Sequence, residues 1–414
     1  MLCYAAVVWW PRIQYATVVR QLEHLQRLAC LYVTSAIRTT PTAALELIVG
    51  LTPLAVHIKQ QAMASCFRLQ LNTQWIQTSY GHTKIKNDLV KYVPLSKQQC
   101  DSIAQTYIFD KNYTVQIPPK EDWINNSIVL DDDVICYTDG SRFDHSGLAG
   151  ASVYNQTDGE EMIFPLGSYT TVFQAEVYAL LQCAKMESLL ERQDSSIAIC
   201  SDSQAALRAV SAARAVSGLV LETIMALKRL AISHSVRLVW IPGHCGLEGN
   251  ENADLLARQA TTSLFIGPEP VIGLSAQSIH SAILKWAQSE QNRLWQITPG
   301  CRQAKMLIKQ SKANLSQFAL KLCKRDLRIL VGLLTGHVNL NRHLAVMKIQ
   351  SDALCPLCGE DEETSFHFLA QCNATMMLRR GFFGAPLVNP DELSVVHWSA
   401  LLGFAKTSKR FQLP

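Results

Sequence analysis

The sequence predicts an α/β fold: a mixed five-stranded sheet flanked by helices at its centre, helical appendages on both sides, and a metal-binding knuckle near the end. Three observations carry this. Between residues 134 and 262, short apolar or alternating runs of strand length are interleaved with stretches of helical period. Outside that span strand signals fade, and helical period with Pro and Gly punctuation takes over. Charge divides at the same places: residues 131–262 hold 9 Lys/Arg against 17 Asp/Glu, a net of −8, while 1–130 and 263–414 carry +5 and +7. An acidic centre between basic arms suits a metal-dependent enzyme whose polyanionic substrate is gripped from outside the catalytic part.

Residues 1–75 read as helices. Across 15–32, Val18, Leu22, Leu25, Leu28 and Leu31 recur at helical spacing, with Arg20, Glu23 and Arg27 opposite. Thr40-Pro41 opens a second helix that Gly50 ends, and Thr52-Pro53 opens a third reaching about Leu71. Residues 76–130 are polar and broken by Pro94, Pro118 and Pro119; a linker is expected there, with a short helix near 96–105. The first strand is 134–140, and 147–155 and 161–167 follow at hairpin distances, with Thr157-Asp158-Gly159 as the turn. A helix over 170–191 is capped by Thr170 or Thr171. Residues 195–202 form a near-continuous apolar run, the mark of a strand buried on both faces. Helices near 203–211 and 217–233, a strand over 236–242 and a helix over 250–261 complete the region.

Four carboxylates lie near the ends of those elements. Asp139 stands toward the end of the first strand and Glu176 in the first turns of the next helix. Asp202 ends the central parallel strand, where open α/β sheets place ligands, and Asp254 lies early in the last helix. Helices folded back over the sheet can bring all four to one edge. Carboxylates held together repel, and proteins tolerate this chiefly with divalent cations between them. A hard-cation site of carboxylates alone is the chemistry of phosphodiester hydrolysis by two Mg²⁺ (or Mn²⁺) ions, one activating the attacking water and one stabilising the departing 3′ oxygen.

Tyr137-Thr138-Asp139-Gly140-Ser141, Gln174-Ala175-Glu176, Ser201-Asp202-Ser203-Gln204-Ala205-Ala206 and the run from Trp240 through His244 to Asp254 resemble, in order and spacing, the signature set of type 1 ribonuclease H. The resemblance covers residues 131–262. It implies an RNase H-like sheet with Asp139, Glu176, Asp202 and Asp254 as metal-binding catalytic acids. It also makes His244 a mobile-loop histidine assisting proton transfer and product release. The implied substrate is an RNA–DNA hybrid, distinguished by 2′-hydroxyls on one strand and the backbone of the other. Some members carry an extra basic helix before the last strand. The span 203–235 is too short to hold it, so binding strength is expected from elsewhere.

Cys355, Cys358, His367 and Cys372 have the spacing C-x2-C-x8-H-x4-C. Three thiolates and an imidazole fit one tetrahedral, structural Zn²⁺ that folds residues 346–375, ahead of a tail over 376–414. The 13 cysteines are otherwise scattered, which indicates a reducing compartment. Within the basic helical region 263–345, residues 300–345 hold nine Lys/Arg and one acid. Lys305, Lys309, Lys312, Lys321, Lys324, Arg325 and Arg328 are therefore candidates to bind single-stranded RNA or DNA.

Residues 1–75 resemble the thumb-like end of the reverse transcriptase region in Jockey-type non-LTR retrotransposons. The carrying residues are Val8-Trp9-Trp10, Gln26-Arg27, Arg38-Thr39-Thr40-Pro41, Ala44-Leu45-Glu46 and Gly50-Leu51-Thr52-Pro53-Leu54. Such elements encode a polyprotein, whose remainder is the implied partner. The apolar opening reads as a segment cut from something larger. DNA synthesis is not expected: the acidic run Asp131-Asp132-Asp133 lacks the aromatic residue of a polymerase turn. No run reaches the roughly 18 apolar residues of a membrane span; the scattered cysteines lead us to expect an intracellular site, nucleus or cytoplasm. A rival function is a catalytically silent nucleic-acid-binding remnant, motivated by the apolar residues Leu2, Val7, Val8, Trp9 and Trp10 left without a partner.

Overall fold

The computed structural model describes residues 3–78, 80–125, 127–143, 147–192, 194–243, 245–311 and 313–411. The chain forms two units, one from Met1–Ser65, Thr78–Ile85 and Ile283–Pro414, the other from Cys66–Gln77 and Lys86–Ala282.

The second unit holds the sheet. Its strands are β1 (Ser102–Tyr107), β2 (Thr114–Gln116), β3 (Val134–Arg142), β4 (Ala149–Asn155), β5 (Glu160–Gly167), β6 (Ser196–Ser201), β7 (Arg214–Ser217) and β8 (Ser235–Trp240). Six lie side by side in the order β2-β8-β6-β3-β4-β5, while β1 and β7 form a separate antiparallel ribbon. The β3-β4-β5 meander is antiparallel, and β3, β6, β8 and β2 are parallel. Among the helices of this unit are α1 (Val172–Glu187), α2 (Gln204–Ser211), α3 (Gly218–Leu230) and α4 (Glu248–Thr262).

Alternate residues of the central strands enter two different cores. Cys136, Ile199 and Leu238 meet Val177, Leu180, Ile224 and Leu227 of α1 and α3. Their chain neighbours Tyr137, Cys200 and Val239 meet Ala253 of α4 on the other face. This double burial is why the strands read as continuous apolar runs.

All five expected strands are present, and β2 adds a sixth from the segment read as a linker. That segment is stitched to the sheet. Ile108 and Tyr113 are buried in the α1/α3 core, and the Tyr113 hydroxyl donates to the Val210 carbonyl at 2.7 Å. The Lys111 ammonium donates to the carbonyls of Val210 and Ala212, where α2 ends. A three-residue strand with one inward side chain is too short to leave a period. The helix expected near 96–105 is instead a 3₁₀ turn, Pro94–Lys97, followed by β1. The Asp101 carboxylate anchors that ribbon, accepting from the Ser217 hydroxyl at 2.6 Å and the Leu219 amide at 2.8 Å. Between α2 and α3 lies only β7, so no additional helix intervenes among the described residues.

The helices Ala16–Thr34 and Thr42–Val49 of the first unit, and Leu54–Leu71, which belongs to it as far as Ser65, match the helical pattern, with Gly50 at φ +72° closing the second. Cys30, Leu45 and Ile48 share one core with Leu330, Leu333, Phe368 and Phe404, so segments far apart in sequence fold together. Trp10, expected to be an exposed remnant, is buried and its indole N–H donates to the His82 carbonyl at 2.8 Å; Val8 is exposed. Among the described residues, no single helix is long and apolar enough to cross a membrane.

Candidate active site and zinc centre

Parallel register brings two of the acids together. Thr138 on β3 pairs with Ser201 on β6, so the following residues, Asp139 and Asp202, stand side by side. Glu176 reaches them from α1, whose entry is fixed by a capping box between Thr171 and Gln174. The strand and this helix touch closely: a Cβ on Gly140 would sit 2.4 Å from the Glu176 amide nitrogen. Gly140→Ala should therefore push α1 off β3, destabilising the domain by about 1–3 kcal/mol. A thermal melt of the variant checks this. Ser152, opposite Asp139 on β4, donates its hydroxyl to the Ala253 carbonyl at 2.7 Å and so holds α4 beside Asp139.

Asp139, Glu176 and Asp202 each offer an oxygen within 4.8 Å of the others. Burial, then the charges of Asp202 and Asp254, push the Asp139 carboxyl up from 3.8 to about 7. Burial, followed by Asp139 and Asp202, raises Glu176 well above the usual carboxylate range, although the Gly140 amide opposes this. One Glu176 oxygen is buried with no hydrogen-bond partner. Oxygen-only donors, mutual repulsion and an orphaned acceptor are what a hard divalent cation would resolve.

Asp254 stands outside this trio. Its carboxylate pairs with Arg258, one helical turn on, at 2.8 Å, and like Asp202 it is half-buried where Asp139 and Glu176 are buried. Arg258 was legible in the i,i+4 spacing but not singled out. His244 lies outside the described residues. Its neighbour Gly243 packs so closely that a Cβ there would come 2.8 Å from an Asp202 oxygen. The Trp240 indole donates to the Asp202 carbonyl at 3.0 Å, steadying the loop after β6.

In the first unit, Cys355, Cys358, His367 and Cys372 converge within 4.8 Å, as their spacing predicts. Cys355 and Cys372 sulfurs are 3.8 Å apart, and Cys358 Sγ lies 3.4 Å from His367 Nε2. Tetrahedral zinc with bonds of about 2.0–2.3 Å needs edges of about 3.5–3.8 Å. Burial pushes the Cys355 thiol up to about 12 despite the Cys358 and Leu357 amides aimed at it. At Cys358 burial acts the same way, but the amides of Glu360 and Asp361 together with hydrogen bonds from Cys355 and Cys372 outweigh it and the thiol is lowered. Amides directed at sulfur support thiolates that bind metal. The fully buried Arg379, which nothing in the sequence marked, donates to the carbonyls of Leu369 at 2.9 Å and Cys372 at 2.8 Å.

The basic residues divide. The Lys305 ammonium donates to the carbonyls of Gln296 and Thr298 where the helix Ala276–Ile297 ends. Lys309 pairs with Asp391 at 3.1 Å, and Lys324 lies over the Tyr32 ring. Arg325 reaches the Phe411 carbonyl at 3.4 Å. Lys321 and Arg328 are exposed, and Lys312 lies outside the described residues. Lys305→Ala is expected to lower stability by about 1 kcal/mol without altering nucleic-acid binding. Lys321→Ala should leave stability alone and flatten the salt dependence of binding by about one counterion, read from affinities at several salt concentrations.

No curated protein matches the sequence. The family model of RNase H matches residues 131–262, the stretch that contains β3 to β8, α1 to α4 and all four acids. The acid cluster thus stands in an RNase H domain, and the Cys/His cluster lies in a part of the chain that the match does not cover.

Proposed function

We propose that the chain is a divalent-cation-dependent endoribonuclease that cuts the RNA strand of RNA–DNA hybrids, leaving 5′-phosphate and 3′-hydroxyl ends. One observation carries the reading: three carboxylates close enough to share cations, one oxygen of Glu176 buried without a partner. Asp139, Glu176 and Asp202 would hold Mg²⁺ or Mn²⁺, and Asp254 could join by exchanging Arg258 for a cation. Bound there, such ions supply the Lewis acidity that phosphodiester hydrolysis needs at neutral pH. The chain's own groups shape the site: Gly140 lets Glu176 approach Asp139, Gly243 packs against Asp202, and His244 would take the proton-transfer role that the family resemblance implies. The Cys/His cluster would hold one structural Zn²⁺.

We also read the chain as part of a Jockey-like retroelement polyprotein, supported by the sequence blocks of residues 1–75 and the order of segments. The free cysteines suit an intracellular setting.

The test is incubation of the full chain with a labelled hybrid and Mg²⁺, beside Asp202→Asn. Cleavage of the RNA strand alone, lost in the variant, supports the reading. A folded chain that cuts nothing would leave nucleic-acid binding as the function.

A further inference from the structure

Near the zinc loop, the first unit carries a cleft of about 310 Å³, within the range of small-ligand sites. Its lining is divided by chemistry. Ile329, Val338 and the Phe411 ring are apolar; Arg325 and Arg328 bring two exposed cations, and Asn339 adds an amide. The ring is held edge-on against buried Phe368 at 5.5 Å. Arg410, the preceding residue, forks onto the fully buried Glu363 carboxylate at 2.7 and 2.8 Å. That pairing neutralises Arg410 and fixes the backbone that presents Phe411.

Arg325 donates to the Phe411 carbonyl, joining the cationic side to the aromatic one. Arg328 has no partner among the described residues. His337 also faces the cleft, but its Nδ1 is 3.0 Å from the Thr39 hydroxyl and burial holds its imidazole down to about 4. It is neutral near pH 7, so the free charge comes from the two arginines. A second cleft, of about 380 Å³, shares Arg325, Ile329 and Phe411 and continues toward Lys406.

We propose that this cleft takes one unstacked base of a single-stranded nucleic acid, with the base against Phe411 and Ile329 and the flanking phosphates on Arg325 and Arg328. The fixed ring and aliphatic wall suit a flat base, and adjacent guanidinium groups suit phosphate. A phosphorylated peptide brings the charge but no flat face. A duplex keeps its bases stacked inside and must unpair and unstack one before it can insert, which a single strand need not do. The adjoining cleft offers the strand a way onward, which a free nucleotide does not need. This site is separate from the acid cluster, and its existence does not depend on hybrid cleavage.

The experiment is fluorescence anisotropy of the full chain with a labelled twelve-nucleotide thymidine strand and with an abasic strand of equal length. The intact strand is expected to bind on the order of tenfold tighter, the worth of stacking one base. Phe411→Ala should erase that preference, Phe411→Tyr should keep it, and Arg328→Ala should weaken both strands alike. Melting curves establish that the variants fold. Equal affinity for the two strands, or a preference that survives Phe411→Ala, would overturn the proposal. Thymidine monophosphate or a phosphoserine peptide competing as well as the strand would overturn it in favour of those ligands.

Discussion

Asp139→Asn is expected to remove hybrid cleavage, by a factor on the order of 10³ or more, while making the metal-free protein more stable. The two effects have one cause. In the folded chain Asp139 is buried beside Asp202, with the charge of Asp254 acting on it, and its carboxyl is displaced from 3.8 to about 7. Keeping it ionised without a cation therefore costs on the order of 4 kcal/mol. Asparagine keeps the shape and discards the charge, and with it the means of holding a cation.

The sign of the pH dependence follows. Between about 3.8 and 7 the folded state binds a proton at Asp139 that the unfolded chain has released. The stability contributed by this protonation is fully present below the lower value and is lost as pH rises through about 7. Metal-free wild type should thus lose stability relative to Asp139→Asn as pH climbs from 4 to 8. Adding Mg²⁺ at pH 8 should restore it in wild type and leave the variant unmoved. Thermal melts of both proteins at pH 5 and pH 8, with and without Mg²⁺, read all of this. A variant that melts below wild type at pH 8 without metal would contradict the burial argument, and a variant that still cuts would contradict the chemistry.

The acid site was legible because its elements are strongly patterned. The doubly buried run Ile197–Cys200 could only be an interior strand, and Asp139 and Asp202 follow from the parallel register with β3. The capping box at Thr171 likewise announces α1 and sets Glu176 in its first turns. What could not be read is contact across space. Nothing local shows that Gly140 must lack a side chain for Glu176 to approach, or that Tyr113 leaves a polar stretch to bury itself under α2. Lys305 illustrates the converse: a charge run looks the same whether a lysine faces solvent or caps a helix within its own unit. Buried Arg379 gave no signal either, since its partners are carbonyls that any sequence supplies.

Removing zinc should have the second large effect, confined to the first unit. The segment from Cys355 to Cys372 is tied by short-range backbone bonds, among them Cys355 to Asp361, Gly359 to Cys355 and Cys372 to His367 at 2.8 Å each, but among the described residues none joins the Cys355–Gly359 turn to the His367–Cys372 turn. Four metal bonds would supply what that loop lacks, and for sites of this kind metal binding is folding energy. The Cys355 and Cys372 sulfurs lie 3.8 Å apart, and Glu363, which holds Arg410, sits in sequence between the two pairs of ligands, so loosening of the cluster is expected to reach it. Phe368 follows His367 directly and lies in the core shared with Leu45 and Phe404, so the disturbance should pass inward. Cys372→Ser is expected to take zinc content from one atom per chain to near zero and to lower the first unit's unfolding free energy by several kcal/mol. Cys30→Ser, in the same core but away from the cluster, should leave zinc content at one. Elemental analysis of the purified chains decides the stoichiometry, and a chelator titration followed by melting decides the energetics. Wild type purified with no zinc, and unaffected by adding it, would reduce the cluster to four reduced side chains that happen to meet.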